Sequence, residues 1–258
     1  MFKTLIRQKY LRPILFRNTY AVKLGLAYIF TLIGIIIPHH YVLAQTTTEY
    51  YAAVSEDKII NNDSENQDAS VYFNRGVDKY NDGNFPGALN YFSKAIELRP
   101  DFIEAYYNRG ILRIELADYQ GGIEDFTNVI NLDPSCREAY YNRGSINSII
   151  GNYQAEIADF NKVIEVEPNL FYVYSNCGVA RSGIGDEQGA ISDFYKVIEL
   201  EQNAVDAYNN RGIIRRKLGD HPGDIADFYK VIELKPNDAK TYFIWELLGL
   251  NLEINRVQ

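Results

Sequence analysis

The feature that most constrains this chain is a repeat of 34 residues. Asn-Arg-Gly stands at 74–76, 108–110, 142–144 and 210–212, and Asn176-Cys177-Gly178 fills the one gap in the series. Tyr72, Tyr106, Tyr140, Tyr174 and Tyr208 each precede the asparagine by two residues, and Phe92, Phe126, Phe160, Phe194 and Phe228 keep the same period. No insertion interrupts the count. Such a period marks one supersecondary unit that cannot bury its apolar face alone and stacks on its neighbours to do so. Five units follow: residues 69–102, 103–136, 137–170, 171–204 and 205–238.

Each unit decodes as two helices. In the second, a helix over 103–116 carries Tyr106, Gly110 and Ile114 along one face. A break at Asp118 follows, then a helix over 120–132. Its Ile123, Phe126, Val129 and Ile130 recur at steps of three and four, a one-sided helical stripe. In the other units the break holds Gly83, Gly151, Gly185 or Gly219, the residue that best tolerates the left-handed turn at a helix end. Pro86 and Pro222 sit at the start of the second helix, where a missing N–H costs nothing. Pro100, Pro134, Pro168 and Pro236 end it.

The period, with aromatic, Gly, Ala, aromatic and Pro positions in this order, resembles the tetratricopeptide repeat (TPR) family. There are departures. The Ala early in the second helix is kept at Ala88 and Ala190 but becomes Gly122, Glu156 and Asp224. The closing Pro is Gln202 in the fourth unit, and Arg replaces the apolar residue before the helix A glycine in four units. The resemblance implies an all-α fold, a right-handed α-solenoid of helix-turn-helix repeats with a C-terminal capping helix. It also implies a scaffold that holds a protein or peptide partner in a concave groove lined by the first helices, without catalysis.

The segments outside the repeats have their own character. Residues 239–258 are expected to form the cap, with Tyr242, Trp245, Leu248 and Leu252 stepping along one helix face. Residues 45–68 are polar and acidic and read as a flexible linker. Residues 1–44 hold six basic side chains and no acidic one, followed by an uncharged apolar run at 24–37. Val42 and Ala44 suit cleavage before Gln45, so a secretory signal peptide is one reading. An uncleaved membrane anchor is the other. Either places the repeats outside the cytoplasm, in the periplasm or cell envelope if the source is bacterial. The membrane is then involved only through this N-terminal segment.

Composition removes several function classes. Only His221 lies beyond the N-terminal pair His39 and His40, and Cys136 and Cys177 form no CxxC motif, so a metal centre or a His-based triad is not expected. The same two cysteines lie too far apart in the repeat series for an internal disulfide to be expected. Taking the six leader residues from the 26 basic ones leaves 20 against 34 acidic, a net charge of −14. That balance works against nucleic-acid binding. No cofactor is expected and no enzyme activity is indicated. The alternatives kept beside the scaffold are a structural subunit of an envelope assembly with a permanently occupied groove, and an accessory subunit of an enzyme.

Candidate partner-binding residues follow from the first helices. Asn74, Asn108, Asn142, Asn176 and Asn210 form a ladder of amides, each offering a donor and an acceptor to an extended backbone. Hydrogen bonding within the solenoid would use them equally well. One residue earlier stand Phe73, Tyr107, Tyr141, Ser175 and Asn209, and three later Val77, Ile111, Ser145, Val179 and Ile213. Lys79, Arg113, Arg181 and Arg215 add a cationic line, which together with the apolar positions suits a mixed apolar and acidic peptide. Arg75, Arg109, Arg143 and Arg211 need partners if they point inward. Asp125, Asp159, Asp193 and Asp227 can supply them, either within one repeat or from the repeat before.

Overall fold

The computed structural model describes residues 68–236. The N-terminal segment, nearly all of the linker and the expected cap with Trp245 lie outside them. Among the described residues there are ten helices and no strand: α1 (Ala69–Asn81), α2 (Phe85–Leu98), α3 (Ile103–Glu115), α4 (Tyr119–Leu132), α5 (Arg137–Ile149), α6 (Tyr153–Val166), α7 (Phe171–Gly183), α8 (Glu187–Leu200), α9 (Val205–Lys217) and α10 (His221–Leu234). The chain divides between Asn152 and Tyr153 into two compact units. The first holds α1–α5 and the second α6–α10. Odd-numbered helices are helix A of a repeat and even-numbered ones helix B. Within each unit a helix A packs on its own helix B: α1 with α2 and α3 with α4 in the first, α7 with α8 and α9 with α10 in the second.

Local chemistry sets the helix ends. Asn84, Asp118, Asp186 and Asp220 cap α2, α4, α8 and α10, each accepting from the backbone N–H three residues on. The turn before each cap needs a positive φ. Gly83, Gly151, Gly185 and Gly219 supply it at 75–82°, and Ala117 is forced to 60° in repeat two.

The core is the phenylalanine series. Phe92, Phe126, Phe160, Phe194 and Phe228 are all fully buried, each burial being worth roughly 1.5–3 kcal/mol. The helix A glycine is what lets the ring approach. A Cβ on Gly178 would lie 2.9 Å from the Phe194 ring. The tyrosines of the Tyr72 series are only half-buried, and they pack beside this core rather than within it.

The buried charges resolve the pairing left open by the sequence. Arg109 grips Asp125 of its own repeat, Nε donating to Oδ2 at 3.0 Å and Nη2 to Oδ1 at 2.7 Å. Arg211 grips Asp227 in the same way at 3.0 and 2.5 Å. The opposite edge of each guanidinium reaches back to helix B of the repeat before, sixteen residues upstream. Arg109 donates to Ser93 at 2.9 Å, Arg143 donates to Thr127 at 3.0 Å, and the Arg211 guanidinium lies 4.0 Å from the Tyr195 ring centre. Within each unit these arginines therefore brace one helix B against the next. Arg75 heads the series differently. Tyr91 stands where the aspartate would be, and Arg75 is exposed with its guanidinium over Tyr72.

Candidate partner-binding site

The tripeptide Asn-Arg-Gly distributes its three side chains around helix A by helical geometry alone. Successive residues turn by about 100°. Gly faces the helix B phenylalanine, Arg reaches the aspartate, and Asn, about 200° from Gly, falls on the side away from helix B. The asparagine ladder therefore does run along one face of the helix A series in each unit.

The five asparagines are not equivalent. Asn142 is fully buried, and its Nδ2 donates to the Tyr107 hydroxyl at 2.9 Å. Asn108 turns back on its own helix, donating to the Glu104 carbonyl at 2.7 Å. Asn74, Asn176 and Asn210 are partly exposed, and among the described residues their amides have no hydrogen-bond partner.

Phe73, Tyr107 and Tyr141 are interior, at 5%, 2% and 6% exposure. Phe73 packs against Phe92 and Phe102 with ring centres 5.7 and 5.1 Å away, and Tyr107 meets Phe126 edge-on at 5.5 Å. Phe73 and Tyr107 fill the space against the next helix A, at Phe102 and Asn142, so a ligand on the open face does not meet these rings. Sequence periodicity sets them one position after the Tyr72 series and among the groove candidates; the fold instead buries Phe73, Tyr107 and Tyr141 and leaves the Tyr72 series half-buried.

Arg113 and Arg215 occupy a fixed place. Arg113 Nη1 donates to Asp125 at 2.8 Å and to the Gly121 carbonyl at 3.0 Å, and its Nε lies 3.3 Å from Asp118. Arg215 repeats this with Asp227 at 2.8 Å, Gly223 at 3.2 Å and Asp220 at 3.5 Å, and it also donates to the Tyr195 hydroxyl. Arg181 follows with Asp193 at 2.7 Å and Asp186 at 3.7 Å. Each of these cations is matched by two carboxylates, the helix cap and the buried aspartate. The line thus ties the A–B turn to helix B and presents little surplus positive charge. Lys79 is the exposed member, 3.9 Å from Asp82.

Two further features concern buried titratable groups. Tyr80 donates to Glu115 between α1 and α3; burial raises both pKa values, and the bond raises that of the phenol further while opposing the rise of the carboxyl. In repeat four, Cys177 replaces the first arginine, which leaves Asp193 with Arg181 alone. Desolvation, opposed by Arg181 and assisted by Asp186, pushes the Asp193 carboxyl up to about 6. Cys136 and Cys177 are both buried and free, and burial raises the Cys177 thiol far above its ordinary range. Among the described residues no group of His, Cys, Asp and Glu is placed to hold a metal ion.

Comparison with known proteins agrees with this anatomy. Family models described as "TPR repeat" and "Tetratricopeptide repeat" match residues 78–116, and 103–136 with 138–170. The match at 103–136 has the bounds expected for the second repeat. Among curated proteins none matches the sequence. Among solved structures, MamA is 25% identical with a TM-score of 0.61, covering 67% of this chain and 94% of its own. MamA from Desulfovibrio magneticus RS-1 is 24% identical at 0.58, covering 66% and 97%. YrrB, described as a TPR protein with an unusual peptide-binding site, is 18% identical at 0.64, covering 71% and 94%. With the period, the helix pairs and these likenesses in agreement, the chain is a tetratricopeptide-repeat protein, an all-α protein-interaction scaffold.

Proposed function

We propose that this scaffold works outside the cytoplasm, exported or tethered by its N-terminal segment, and holds an extended segment of a partner protein on its helix A face. The observation that carries the binding reading is the set of amides at Asn74, Asn176 and Asn210, partly exposed and without a partner among the described residues. A polar amide fixed on a rigid helix supplies both a donor and an acceptor to a peptide backbone. Val179 and Ile213, one turn further along α7 and α9, add apolar area beside the amides, Ile213 being 40% exposed. The likeness to YrrB, whose description names a peptide-binding site, supports the same use of the fold. Export rests on the basic leader and the apolar run at 24–37. Among the described residues no helix is long and apolar enough to cross a membrane.

Two measurements test the reading. Replacing Asn176 and Asn210 together by alanine should weaken capture of a selected linear peptide by about tenfold, two hydrogen bonds of roughly 0.5–1.5 kcal/mol each, and leave thermal unfolding unchanged. Unaltered affinity would remove the helix A face from the binding model. Mass spectrometry of the protein from its native cells should show a mature N-terminus near Gln45, or an intact N-terminus in the membrane fraction. An intact protein in the cytosol would end the export reading.

A further inference from the structure

The two units treat one position of the repeat in opposite ways. In the first unit Tyr107 of α3 lies in the interior beneath α5, its hydroxyl accepting a hydrogen bond from the Asn142 amide. The residue following in the same layer, Cys136, closes the space below the ring and is itself buried. Phe73 and Phe102 build the same layer one repeat earlier, and both are buried.

In the second unit the equivalent layer lies between α7 and α9, which are neighbours. Ser175 stands where Tyr107 does, Ala204 where Cys136 and Phe102 do, and Asn210 where Asn142 does. The large side chain is missing, and so is the bulk below it. Exposure changes accordingly. Ser175, Ala204 and Asn210 are all partly exposed, whereas every counterpart named above is buried. The Asn210 amide, whose counterpart bonds a phenol, has no partner among the described residues. Val179 and Ile213 flank the opening.

Resting on the reading that the helix A face holds an extended peptide, we propose that the slot formed by Ser175, Ala204 and Asn210 between α7 and α9 binds a tyrosine side chain of the partner. The partner's ring takes the place that Tyr107 takes within the first unit, and its hydroxyl accepts from Asn210 Nδ2. The same backbone frame, with the same asparagine, already holds a phenol where the chain supplies one. The ring brings the large, rigid apolar area that dominates peptide anchoring, and its hydroxyl satisfies an amide that otherwise faces water.

The test is selection of linear peptides from a random displayed library against the full chain. The expected result is enrichment of tyrosine at one position. In the selected peptide, Tyr→Phe should weaken binding about fivefold, for one neutral hydrogen bond, and Tyr→Ala about a hundredfold. Asn210→Ala should abolish the discrimination between Tyr and Phe peptides. Ser175→Tyr should fill the slot from within and reduce capture at least tenfold, while its thermal unfolding stays at or above that of the parent. Peptides selected without tyrosine enrichment, or bound equally by the Ser175→Tyr variant, would overturn the slot and leave the peptide-binding reading standing. A library that yields no binder at all would overturn both.

Discussion

Arg109 and Asp125 lock the two helices of repeat two with a two-pronged bond, 3.0 and 2.7 Å long, in which the carboxylate is almost wholly buried. Arg113 joins the same carboxylate at 2.8 Å. One carboxylate thus binds two guanidiniums, and the strongest charge contacts of the repeat converge on a single residue. Removing it costs more than the bonds are worth in net stability, because the partly buried Arg109 is left without a carboxylate and Arg113 keeps only Asp118 at 3.3 Å. Asp125→Ala is expected to destabilise the protein by about 3–5 kcal/mol, read as a lowered urea midpoint. Asp193→Ala deprives only Arg181, which keeps Asp186 at 3.7 Å, and should cost clearly less. Equal losses at the two sites would refute the convergence argument.

Repeat four carries a charge imbalance that responds to pH. The Asp193 carboxyl titrates at about 6 in the fold and at about 3.9 in an unfolded chain. Its folded pKa is raised, so its contribution is fully present below about pH 4 and is lost as pH rises through about 6. The swing is on the order of 3 kcal/mol. Cys177→Arg restores the arginine that Asp125 and Asp227 already have. The variant should gain on the parent as pH rises from about 4.5 to about 7.5, with little advantage at the acid end. A stability difference constant across that range would show that Asp193 does not need the second cation.

Ala117 occupies a backbone conformation that glycine takes in the other four turns, with φ of 60°. Ala117→Gly relieves the Cβ strain and gives back some of the gain as chain entropy, for a net stabilisation of about 0.5–1 kcal/mol. Gly185→Ala is the converse test. A Cβ there meets nothing within 4 Å, so its loss, about 1–2 kcal/mol, is backbone strain alone. Chemical denaturation of the two variants should give opposite signs.

The buried bond between Asn142 and Tyr107 has a structural cost when broken. Tyr107→Phe leaves the Asn142 amide without its acceptor, at about 1–2 kcal/mol. Tyr107→Phe with Asn142→Leu removes both polar partners and should recover part of that loss. A thermodynamic cycle by thermal unfolding measures it, and strict additivity of the two substitutions would deny the bond any role.

Much of this architecture was legible in the sequence because it is periodic. A 34-residue spacing of Tyr, Asn, Gly, Phe and Pro states the helix pairs, their turns and the core phenylalanines, since each of these obeys local geometry. The expected first helix of repeat two over 103–116 and the observed Ile103–Glu115 differ by one residue. Periodicity also places the asparagines on one face, which depends only on angle around a helix. It does not say which asparagines are available. Asn142 is sealed by Tyr107, Asn108 bends to its own backbone, and Asn210 stays open because Ser175 and Ala204 are small. The outcomes at Asn142 and Asn210 depend on the side chains at Tyr107 and Ser175, each 35 residues away. The same holds for the charges: Arg113 and Arg215 read as a free cationic line, and only the fold brings each to two aspartates. The sequence by itself determined what repeats. The tertiary structure decided what each copy of the repeat leaves exposed, because exposure is set by neighbours that lie far along the chain and close in space.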